Sequence, residues 1–534
     1  MNTNKQIKWG VVLQYAQMAL SIIIQLIYTP IMLKILGKTE YGIYSIASST
    51  ITYLSLLSLG FGASYIRFYS KYKVVDNQEG INKLNGLYLI VFSIIGLIAL
   101  VAGVLLAINS QVLLNNSYTS EEIQITRILL LLLAINLAIS FPASVFVSYV
   151  TSQEKFVFQK LLNIGKTVMA PAVSIVFLYL GYGSIGMVVV TTFLSIIIDI
   201  INVFYCLFKL KMKFDFHNPN FRVLREIFIF SIFIAINQII DQINWQTDKL
   251  ILGKMTEASA GAVAIYTVGA NINNMYLQFS TAVSSVFTPK IHSIVARHDE
   301  KMDSDLNALF IKVGRVQFFI MGLILSGFIF FGQYFIYRWA GEGYEEAYLI
   351  AILLIAPVTL PLVQNLGIEI QRAKNKHQFR SIVYLIMAII NVGISIWFCY
   401  LWGAIGCAIG TAISLVVANI FIMNIYYHTR LQINVIKFWK SIVSILPSLV
   451  VPIAYGVLSM IYVQYTSLWQ YGLFVIAYSI IYIVFILLLG LNKEEKYFFK
   501  SILNRFFRRN SSLIENIKEV NLSEADFNDS NDVK

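Results

Sequence analysis

The sequence predicts an all-α, polytopic membrane protein of about 14 transmembrane helices, in which two parallel six-helix repeats surround a central cavity and two extra helices follow. Three observations predict this fold class. Of the 534 residues, 58% are hydrophobic and only 13% are charged, whereas soluble domains carry roughly 25% charged residues. The apolar residues form fourteen runs that can each cross a bilayer, because about 20 helical residues span the ~30 Å hydrocarbon layer. Features of the first run also recur 216 residues later.

The predicted spans follow one another through short connections. They cover residues 9–33, 41–66, 86–108, 127–150, 161–181, 184–208, 227–252, 258–288, 313–337, 347–371, 380–401, 403–427, 437–463 and 468–491. The first run is longer than the apolar part of a secretory signal peptide and lacks a small-residue cleavage site after it. We therefore expect the chain to keep its N-terminus.

The positive charges alternate with the predicted spans. The net charge is +12, and 34 of the 40 Lys and Arg residues fall in segments on the side of the N-terminus. The positive-inside rule then predicts cytoplasmic N- and C-termini and a place in a bacterial cytoplasmic membrane. Because the charge follows the loops and does not form one basic surface, we expect no nucleic-acid partner.

An internal repeat relates the two halves. The tetrapeptide ILGK closes the first run at 35–38 and the seventh run at 251–254, and the same offset aligns Gln25 with Asp241. Because six spans bring the chain back to its starting side, the two repeats are parallel, and halves of this kind usually meet at a central substrate site. This geometry favours a transporter.

The repeat also gives a domain organisation. We predict an N-terminal bundle at 1–213, a C-terminal bundle at 214–430 and two additional spans at 431–491. A cytoplasmic tail at 492–534 begins with a basic amphipathic segment, which is typical of helices that lie on an anionic membrane surface. Its acidic, Ser- and Asn-rich end is predicted to be disordered.

The seventh run carries the clearest candidate site. Asn237, Asp241, Asn244 and Asp248 follow at spacings of four, three and four residues, which places them on one face of a helix. A carboxylate near the helix centre costs about 2.5 kcal/mol or more to insert, so it normally faces a bundle interior or a wet cavity. We predict that this face lines the substrate path, with Asp241 as an ion-coupling or substrate-binding group. The alternative is a buried carboxylic acid satisfied by Gln25 or by neighbouring amides.

Asp248 and Lys249 lie about two turns closer to the predicted outer side. There they are candidates for ion coupling or for a gate at the outer mouth. Asp248 is equally expected to form a structural salt bridge with Lys249, Lys34 or Lys254. The sequence leaves these two roles open.

Further cavity candidates lie on other spans. Asn271, Asn274 and Gln278 belong to a polar line with spacings of three and four residues on the eighth span, and Gln25 belongs to a similar line on the first. Such residues line a cavity or form hydrogen bonds between membrane helices. We predict that these four contact the substrate.

Four charged residues complete the candidate set. Asp199 on the sixth span is a second candidate for ion coupling, and Glu369 with Arg372 is a candidate pair for a cytoplasmic gate. Arg67 lies at the inner end of the second span, where it is suited to contact an anionic head group. The simpler alternative for Arg67 is an arginine at the membrane boundary.

No enzyme signature stands out. The GKT sequences at 37–39 and 165–167 lack the glycine that a phosphate-binding loop has five residues before its GK. The five His and three Cys residues lack metal-ligand spacing, so we expect no metal and no cofactor. Membrane glycosyltransferases and polymerases are the enzyme alternative, but they usually present a large outer domain, and the longest outer loop here is about 109–126.

The sequence resembles the polysaccharide flippases of the multidrug/oligosaccharidyl-lipid/polysaccharide exporter superfamily. The resemblance is carried by WGVVLQYAQMALSIIIQLIYTPIMLKILGKTEYGIYSIAS near the N-terminus, GFGASYIRFYSKYK after the second span, NQIIDQINWQTDKLILG in the seventh span and QRAKNKHQF after the tenth. It extends over about 1–490.

The resemblance implies two six-helix bundles around a V-shaped cavity. It also implies alternating access that carries an undecaprenyl-pyrophosphate-linked oligosaccharide to the outer leaflet for cell-surface polysaccharide synthesis. Expected partners are this substrate, the bilayer, H+ or Na+ as a coupling ion, and a polysaccharide polymerase with glycosyltransferases. Two related functions remain as alternatives. A lipid II flippase is expected to carry several cavity arginines, which are scarce in the middle of these spans, and an ion-coupled multidrug exporter typically has twelve spans.

Overall fold

The computed structural model describes residues 3–114, 117–217, 221–255, 259–297, 299–493 and 495–497. All the regular elements within these ranges are helical, and eleven helices are long and apolar enough to cross a membrane. The predicted all-α membrane fold is confirmed. The predicted basic amphipathic segment and acidic end of the tail lie almost wholly outside the described residues.

The α-helices are numbered in chain order. In the first part of the chain they are α1 Thr3–Leu54, α2 Phe61–Val74, α3 Gln78–Ile108, α4 Ser120–Ser152, α5 Phe156–Tyr179, α6 Gly183–Phe204, α7 Phe221–Met255, α8 Ser259–Ser285 and α9 Thr288–Ala296. The remainder are α10 Met302–Ala340, α11 Glu346–Val363, α12 Leu366–Ala373, α13 Gln378–Val416, α14 Asn424–Arg430, α15 Val435–Val443, α16 Val450–Tyr462 and α17 Leu468–Phe485. Short 3₁₀ and π segments extend or join several of them.

The structure has three fewer separate spans than the fourteen expected: two pairs of neighbouring spans each form one kinked helix, and the helix of the eighth predicted span, α8, is not among the eleven that are long and apolar enough to cross a membrane. Helix α1 holds the first predicted span and much of the second, and it is broken at Gly37, whose φ is 72°. Helix α13 is broken in the same way at Trp402 and Gly403. Glycine adopts a positive φ at little cost, so the Gly of the first ILGK sequence allows the chain to turn without a loop.

The second span is interrupted part-way along its length. After α1 ends, a 3₁₀ turn covers Ser55–Ser58, and Leu59 and Gly60 both adopt the left-handed conformation before α2 begins. A Cβ at Gly60 would lie 2.4 Å from Cγ2 of Ile234 on α7. This break therefore presses directly against α7, which is possible only because Gly60 has no side chain.

Small residues allow close packing of the helices. A Cβ at Gly96 on α3 would lie 2.6 Å from the carbonyl oxygen of Ala138 on α4, and one at Gly103 would lie 2.3 Å from Cβ of Ala134. Small residues are common where membrane helices approach closely, because association there depends on van der Waals contact. Helix α1 likewise packs against α5 and α8, and α7 packs against α13.

The chain divides into two compact units between Val435 and Ile436. The first unit holds α1 to α14 and all the candidate site residues. The second holds most of α15 together with α16 and α17, and it contains a cluster of aromatic rings. Tyr455 and Tyr465, for example, lie 6.2 and 5.8 Å from the ring of Phe474. The division into two six-helix bundles within the first unit remains a prediction.

Candidate functional site

The main candidate site is a cavity of about 660 Å³, here called the central cavity, between α1, α5, α6, α7 and α8. Its walls are rich in hydroxyl, phenol and amide groups. The polar lining residues are Gln25, Tyr28, Thr29, Tyr41, Tyr44, Ser45, Ser48, Ser49, Thr52, Ser174, Thr191, Gln246, Lys249, Thr267, Asn271, Asn274 and Gln278. Lys249 is the one charged residue among the lining side chains. The cavity thus offers many neutral hydrogen-bonding groups and a single positive charge.

Lys249 is held in place by a short polar chain. Its Nζ donates to Oε1 of Gln246 at 3.2 Å, and the same oxygen accepts a hydrogen bond from Oγ of Ser49 at 3.0 Å. Since a lysine ammonium has three donor positions, this contact leaves donor capacity for a ligand. Ser49 lies on α1 and Lys249 on α7, so the chain links the two predicted halves across the cavity.

Asp248, the preceding residue, faces a different environment. Its side chain is buried, and Oδ2 accepts hydrogen bonds from the hydroxyl groups of Tyr266 on α8 and Thr411 on α13, the latter at 2.8 Å. Buried carboxylates require such partners, because an unpaired one loses its hydration without replacement. The expected pairing with Lys249, Lys34 or Lys254 is therefore replaced by hydroxyl donors. Lys254 instead donates to the carbonyl oxygen of Leu114 at 2.8 Å.

A buried polar network, here called the Asp248 network, continues along α13. Oδ1 of Asn391 lies 3.3 Å from the Ser414 hydroxyl and 3.2 Å from the Ser395 hydroxyl. Ser395 also lies 3.4 Å from the carbonyl oxygen of Cys407. The kink in α13 brings its two arms together here, so residues on both sides of Gly403 contribute oxygen atoms to one site.

The Asp248 network has the donor set of a monovalent cation or proton site. It combines one carboxylate with neutral hydroxyl, amide and carbonyl oxygens. Within the described parts of the chain, no group of three or more His, Cys, Asp or Glu side chains is arranged to hold a metal ion. Hard cations prefer oxygen ligands, and a single negative charge matches a single positive one.

Two further cavities lie along α7 beside Asp241 and Asn237. The α2 cavity has a volume of about 470 Å³ and lies against the broken second span. The α13 cavity has a volume of about 520 Å³ and lies against α12 and α13. Asp241 borders both, while Asn237 borders only the second. In the α13 cavity Asp241 shares the walls with Arg372 and Arg380. Its surroundings are thus more positive than the sequence pattern indicated.

Polar groups in the α13 cavity are only partly satisfied. Oδ1 of Asn237 accepts a hydrogen bond from the Ser381 hydroxyl at 2.9 Å, and the Arg380 guanidinium lies 4.5 Å from the ring centroid of Tyr384. Gln371 is fully buried at the cavity wall, yet neither polar atom of its amide has a hydrogen-bond partner. An unpaired buried amide of this kind costs about 1–3 kcal/mol, so the wall carries a local destabilisation next to Asp241 and the two arginines.

The structure separates the remaining candidates. Gln25, Asn271, Asn274 and Gln278 line the central cavity together with Lys249. Asn244 is partly buried on α7 and lies outside the lining of all three cavities.

The four charged candidates lie outside the central cavity, and one of them, Arg372, lines the α13 cavity. Arg67 stacks on Phe230, 4.3 Å from the ring centroid. Asp199 lies on α6, where the charge of Lys166 acts on it. Glu369 and Arg372 pair with each other within α12 at 2.7 Å. The roles assigned to all these residues from the sequence remain predictions.

Several site residues were missed by sequence reasoning. Gln246 lies between Asp241 and Lys249, but it falls outside the polar stripe that was used to select α7 residues. Asn391 and Thr411 carry a signal that was available, because both are polar residues inside otherwise apolar spans. Arg380 was not among the predicted site residues, and the break at Ser55–Ser58 was not expected inside a predicted span.

Comparison with known proteins places this architecture in a family. The sequence model of a family described as "Polysaccharide biosynthesis protein" matches residues 10–295, more than half of the chain. The chain belongs to this family. The matched segment of this polysaccharide biosynthesis protein includes every lining residue of the central cavity. No curated protein matches the sequence.

Solved structures with the same fold are transporters and a lipid flippase. A lipid II flippase, MurJ, in an inward closed conformation aligns with a TM-score of 0.68 and 15% identity, over 89% of this chain and 97% of its own. A multidrug resistance MATE transporter in an inward-facing conformation aligns with a TM-score of 0.60 and 13% identity, over 80% and 99%. A transporter of the same MOP superfamily from Pyrococcus furiosus aligns with a TM-score of 0.52 and 14% identity, over 77% and 93%. This polysaccharide biosynthesis protein therefore has the MOP-superfamily fold.

Proposed function

We propose that the protein is a flippase that moves an undecaprenyl-pyrophosphate-linked oligosaccharide across the membrane by alternating access, for cell-surface polysaccharide synthesis. The observation that carries the proposal is the lining of the central cavity, which combines hydroxyl and amide groups with one ammonium group. Sugars are recognised by such neutral hydrogen-bonding groups, and a phosphate is recognised by a lysine. The family and the fold support this reading, and neither requires an enzymatic step.

The charge of the central cavity favours this substrate over the alternatives. Tyr28, Tyr41 and Tyr44 supply aromatic rings of the kind that hold cations, but the lining contains no carboxylate and its one charge is positive, which repels a cationic drug. Lipid II also carries a pyrophosphate, so the cavity charge does not distinguish it from a capsule or O-antigen precursor. The test below distinguishes the two substrates. We place Lys249 at the pyrophosphate and Gln25, Asn271, Asn274 and Gln278 at the sugars.

We place ion coupling at Asp248. The carboxylate lies where α7, α8 and α13 meet, and it is adjacent in sequence to the cavity cation Lys249. Binding of H+ or Na+ at Asp248 changes the charge balance one residue from the substrate, so the two sites interact through α7. Asp241 remains a second candidate, but Arg372 and Arg380 line the same cavity. Their positive charges compete with a coupling ion for the Asp241 carboxylate.

We further propose that the protein lies in a bacterial cytoplasmic membrane with both termini in the cytoplasm, as the positive-inside distribution predicts. There it would receive its substrate after glycosyltransferases have built the oligosaccharide on the carrier lipid. A polysaccharide polymerase would use the product on the outer side.

The proposal is tested by reconstitution of the full chain in liposomes that contain fluorescent undecaprenyl-pyrophosphate oligosaccharide. Dithionite added outside quenches only the outer leaflet, so the rate of leaflet exchange is measured directly, with and without a proton or sodium gradient. We expect protein-dependent exchange, and we expect Lys249→Gln to slow it about tenfold to a hundredfold, because hydrogen bonds to charged groups contribute about 1.5–3 kcal/mol. Lys249→Arg should retain much of the rate.

Lys254→Gln is the matched control, since Lys254 lies five residues further along α7 and donates to loop carbonyl groups outside the cavity. Equal exchange by the Lys249→Gln and wild-type proteins would contradict the role of the cavity cation. Exchange of lipid II in place of the oligosaccharide lipid would favour the lipid II reading. Gradient-driven transport of a lipophilic cation, with no lipid exchange, would favour a drug exporter.

A further inference from the structure

An apolar groove on the lipid-facing side of the bundle has no role in the site described so far. It has a volume of about 590 Å³ and lies between the broken second span, α3 and the first turns of α7. Its walls are almost wholly hydrocarbon, and the residues used below are Leu57, Leu59, Phe61, Ile94, Ile98 and Phe228. Ile94, Ile98 and Phe228 are each about half exposed. We call this feature the lateral groove.

The lateral groove is separated from the α2 cavity by a single stretch of backbone. In the interrupted segment, Leu57, Leu59 and Phe61 line the groove, whereas Leu56, Ser58 and Gly60 line the cavity. The 3₁₀ turn and the left-handed residues produce this alternation, because a regular α-helix would not place successive residues on two opposite sides. A thin wall thus has an apolar surface outside and a polar cavity inside.

One charge lies at the lateral groove. Arg225 is the charged residue among the lining side chains and is exposed near the start of α7, at the predicted cytoplasmic boundary of the membrane. Among the described residues, no hydrogen bond or ion pair engages its guanidinium. Nearby, Lys83 is already paired with Glu79. Arg225 is therefore available to an anionic group at the membrane surface.

We propose that the lateral groove holds the isoprenoid tail of the lipid-linked substrate when it first binds, with Arg225 at the pyrophosphate and the sugars on the α2-cavity side of the wall, before the head group moves to Lys249 and the central cavity. This inference rests on the proposed function. A substrate with a polar head and an apolar tail needs two adjacent environments, and the segment at 55–61 supplies both. The groove thereby keeps the tail in the bilayer during transport, because leaving apolar surface in water costs about 25 cal/mol per Å².

The proposal is tested by photo-crosslinking of the full chain in nanodiscs with a diazirine-bearing polyprenyl pyrophosphate. We expect crosslinks on α3 between Val91 and Ile98 and on α7 between Leu224 and Phe228. Excess undecaprenyl pyrophosphate should suppress them, whereas the same amount of phosphatidylglycerol should not. Equal suppression by phosphatidylglycerol would show that the groove holds bulk lipid and would overturn the proposal.

Matched variants on α3 test the position of the tail. Ile94→Trp fills the lateral groove and should reduce the groove crosslinks about tenfold, a change of about 1.4 kcal/mol. Leu97→Trp adds the same ring at a residue that is 62% exposed on the same helix but outside the groove lining, so it should have little effect. Equal crosslinking of both variants would overturn the proposal, provided that both elute as monodisperse protein.

The role of Arg225 is tested by asking whether the groove prefers a lipid with a pyrophosphate head group. Undecaprenyl pyrophosphate should compete about tenfold better than undecaprenol for the wild-type protein and equally well for Arg225→Gln. Lys71→Gln, an exposed cation on α2, should keep the preference. Crosslinks that undecaprenyl pyrophosphate suppresses, but that lie outside the groove, would overturn this inference and leave the proposed function standing. No competed crosslink anywhere on the folded protein would remove both.

Discussion

The central cavity and the Asp248 network lie on two sides of α7, and they differ in almost every physical property. The cavity is open to ligands, is lined by neutral polar groups and carries one positive charge. The network is buried, is closed by hydrogen bonds and carries one negative charge. Consecutive helical residues differ in direction by about 100°, which is how Lys249 and Asp248 reach different sides. One helix thereby connects the proposed substrate site with the proposed ion site.

The difference indicates how coupling could be built without direct contact. In the proposed mechanism, substrate binding and ion binding each place charge beside α7, on faces of the helix about 100° apart. Because opposite charges a few ångströms apart interact strongly where water is excluded, an ion at Asp248 changes the field that Lys249 experiences. Coupling of this kind is a free energy shared between two sites, and it acts in both directions.

The largest expected effect comes from removing the network charge. Asp248→Asn preserves shape and removes the carboxylate, so exchange should lose its dependence on the proton or sodium gradient, a loss of about tenfold or more. Substrate affinity should change less than the gradient ratio, because Asp248 does not line the central cavity and acts on Lys249 only through its charge. The measurement is the ratio of exchange rates with and without the gradient in liposomes.

Asp241→Asn is the comparison variant, because Asp241 lies on the same helix but borders the α2 and α13 cavities. If Asp241→Asn abolishes gradient dependence while Asp248→Asn keeps it, coupling belongs to the cavities near Arg372 and Arg380. Lys249→Gln should give the opposite weighting to Asp248→Asn, with a large loss of substrate binding and a smaller loss of the gradient ratio, because coupling acts in both directions. Equal fractional losses of both properties in both variants would show that the two sites are one.

An intermediate effect is expected from a single network partner. Thr411→Val removes the hydroxyl that donates to Asp248 at 2.8 Å and keeps a similar shape, so the gradient ratio should fall about tenfold. Thr267→Val is the control, since Thr267 on α8 donates to the backbone carbonyl of Val263 and borders the central cavity. A gradient ratio for Thr411→Val that equals the wild-type ratio would restrict coupling to the carboxylate itself.

Most of the fold follows from local properties of the sequence. Long apolar runs predict membrane helices because the bilayer leaves few ways to satisfy backbone hydrogen bonds. The number of separate helices could not be predicted as well, because a turn at Gly37 or Gly403 needs only a change in φ and no loop. The break at Ser55–Ser58 is followed by Gly60, which packs closely against Ile234, a residue far away in the sequence that local patterns do not reveal.

The candidate site was predicted less completely, for a reason that α7 illustrates. Helical periodicity places Asp241 and Asp248 on nearly the same face, yet they meet different neighbours because α7 passes α2 and α12 before it reaches α8 and the kink of α13. Periodicity identifies a polar face but not the helix that covers it. Lys249 was recognised as unusual, but its place in the central cavity follows only from the position of α1.

The smallest expected effect concerns the link that positions the cavity cation. Ser49→Ala removes the hydroxyl that donates to Oε1 of Gln246 at 3.0 Å, so Gln246 and the Lys249 that it holds become less restrained. A neutral hydrogen bond contributes about 0.5–1.5 kcal/mol, and exchange should therefore slow about twofold to tenfold with an unchanged gradient ratio. Ser48→Ala, at the next residue of the same cavity wall, controls for loss of a lining hydroxyl. A larger effect of Ser48→Ala than of Ser49→Ala would indicate that direct contact with the sugars matters more than the positioning of Lys249. Because the two serines are adjacent on α1, the comparison distinguishes these two contributions at one place in the cavity wall.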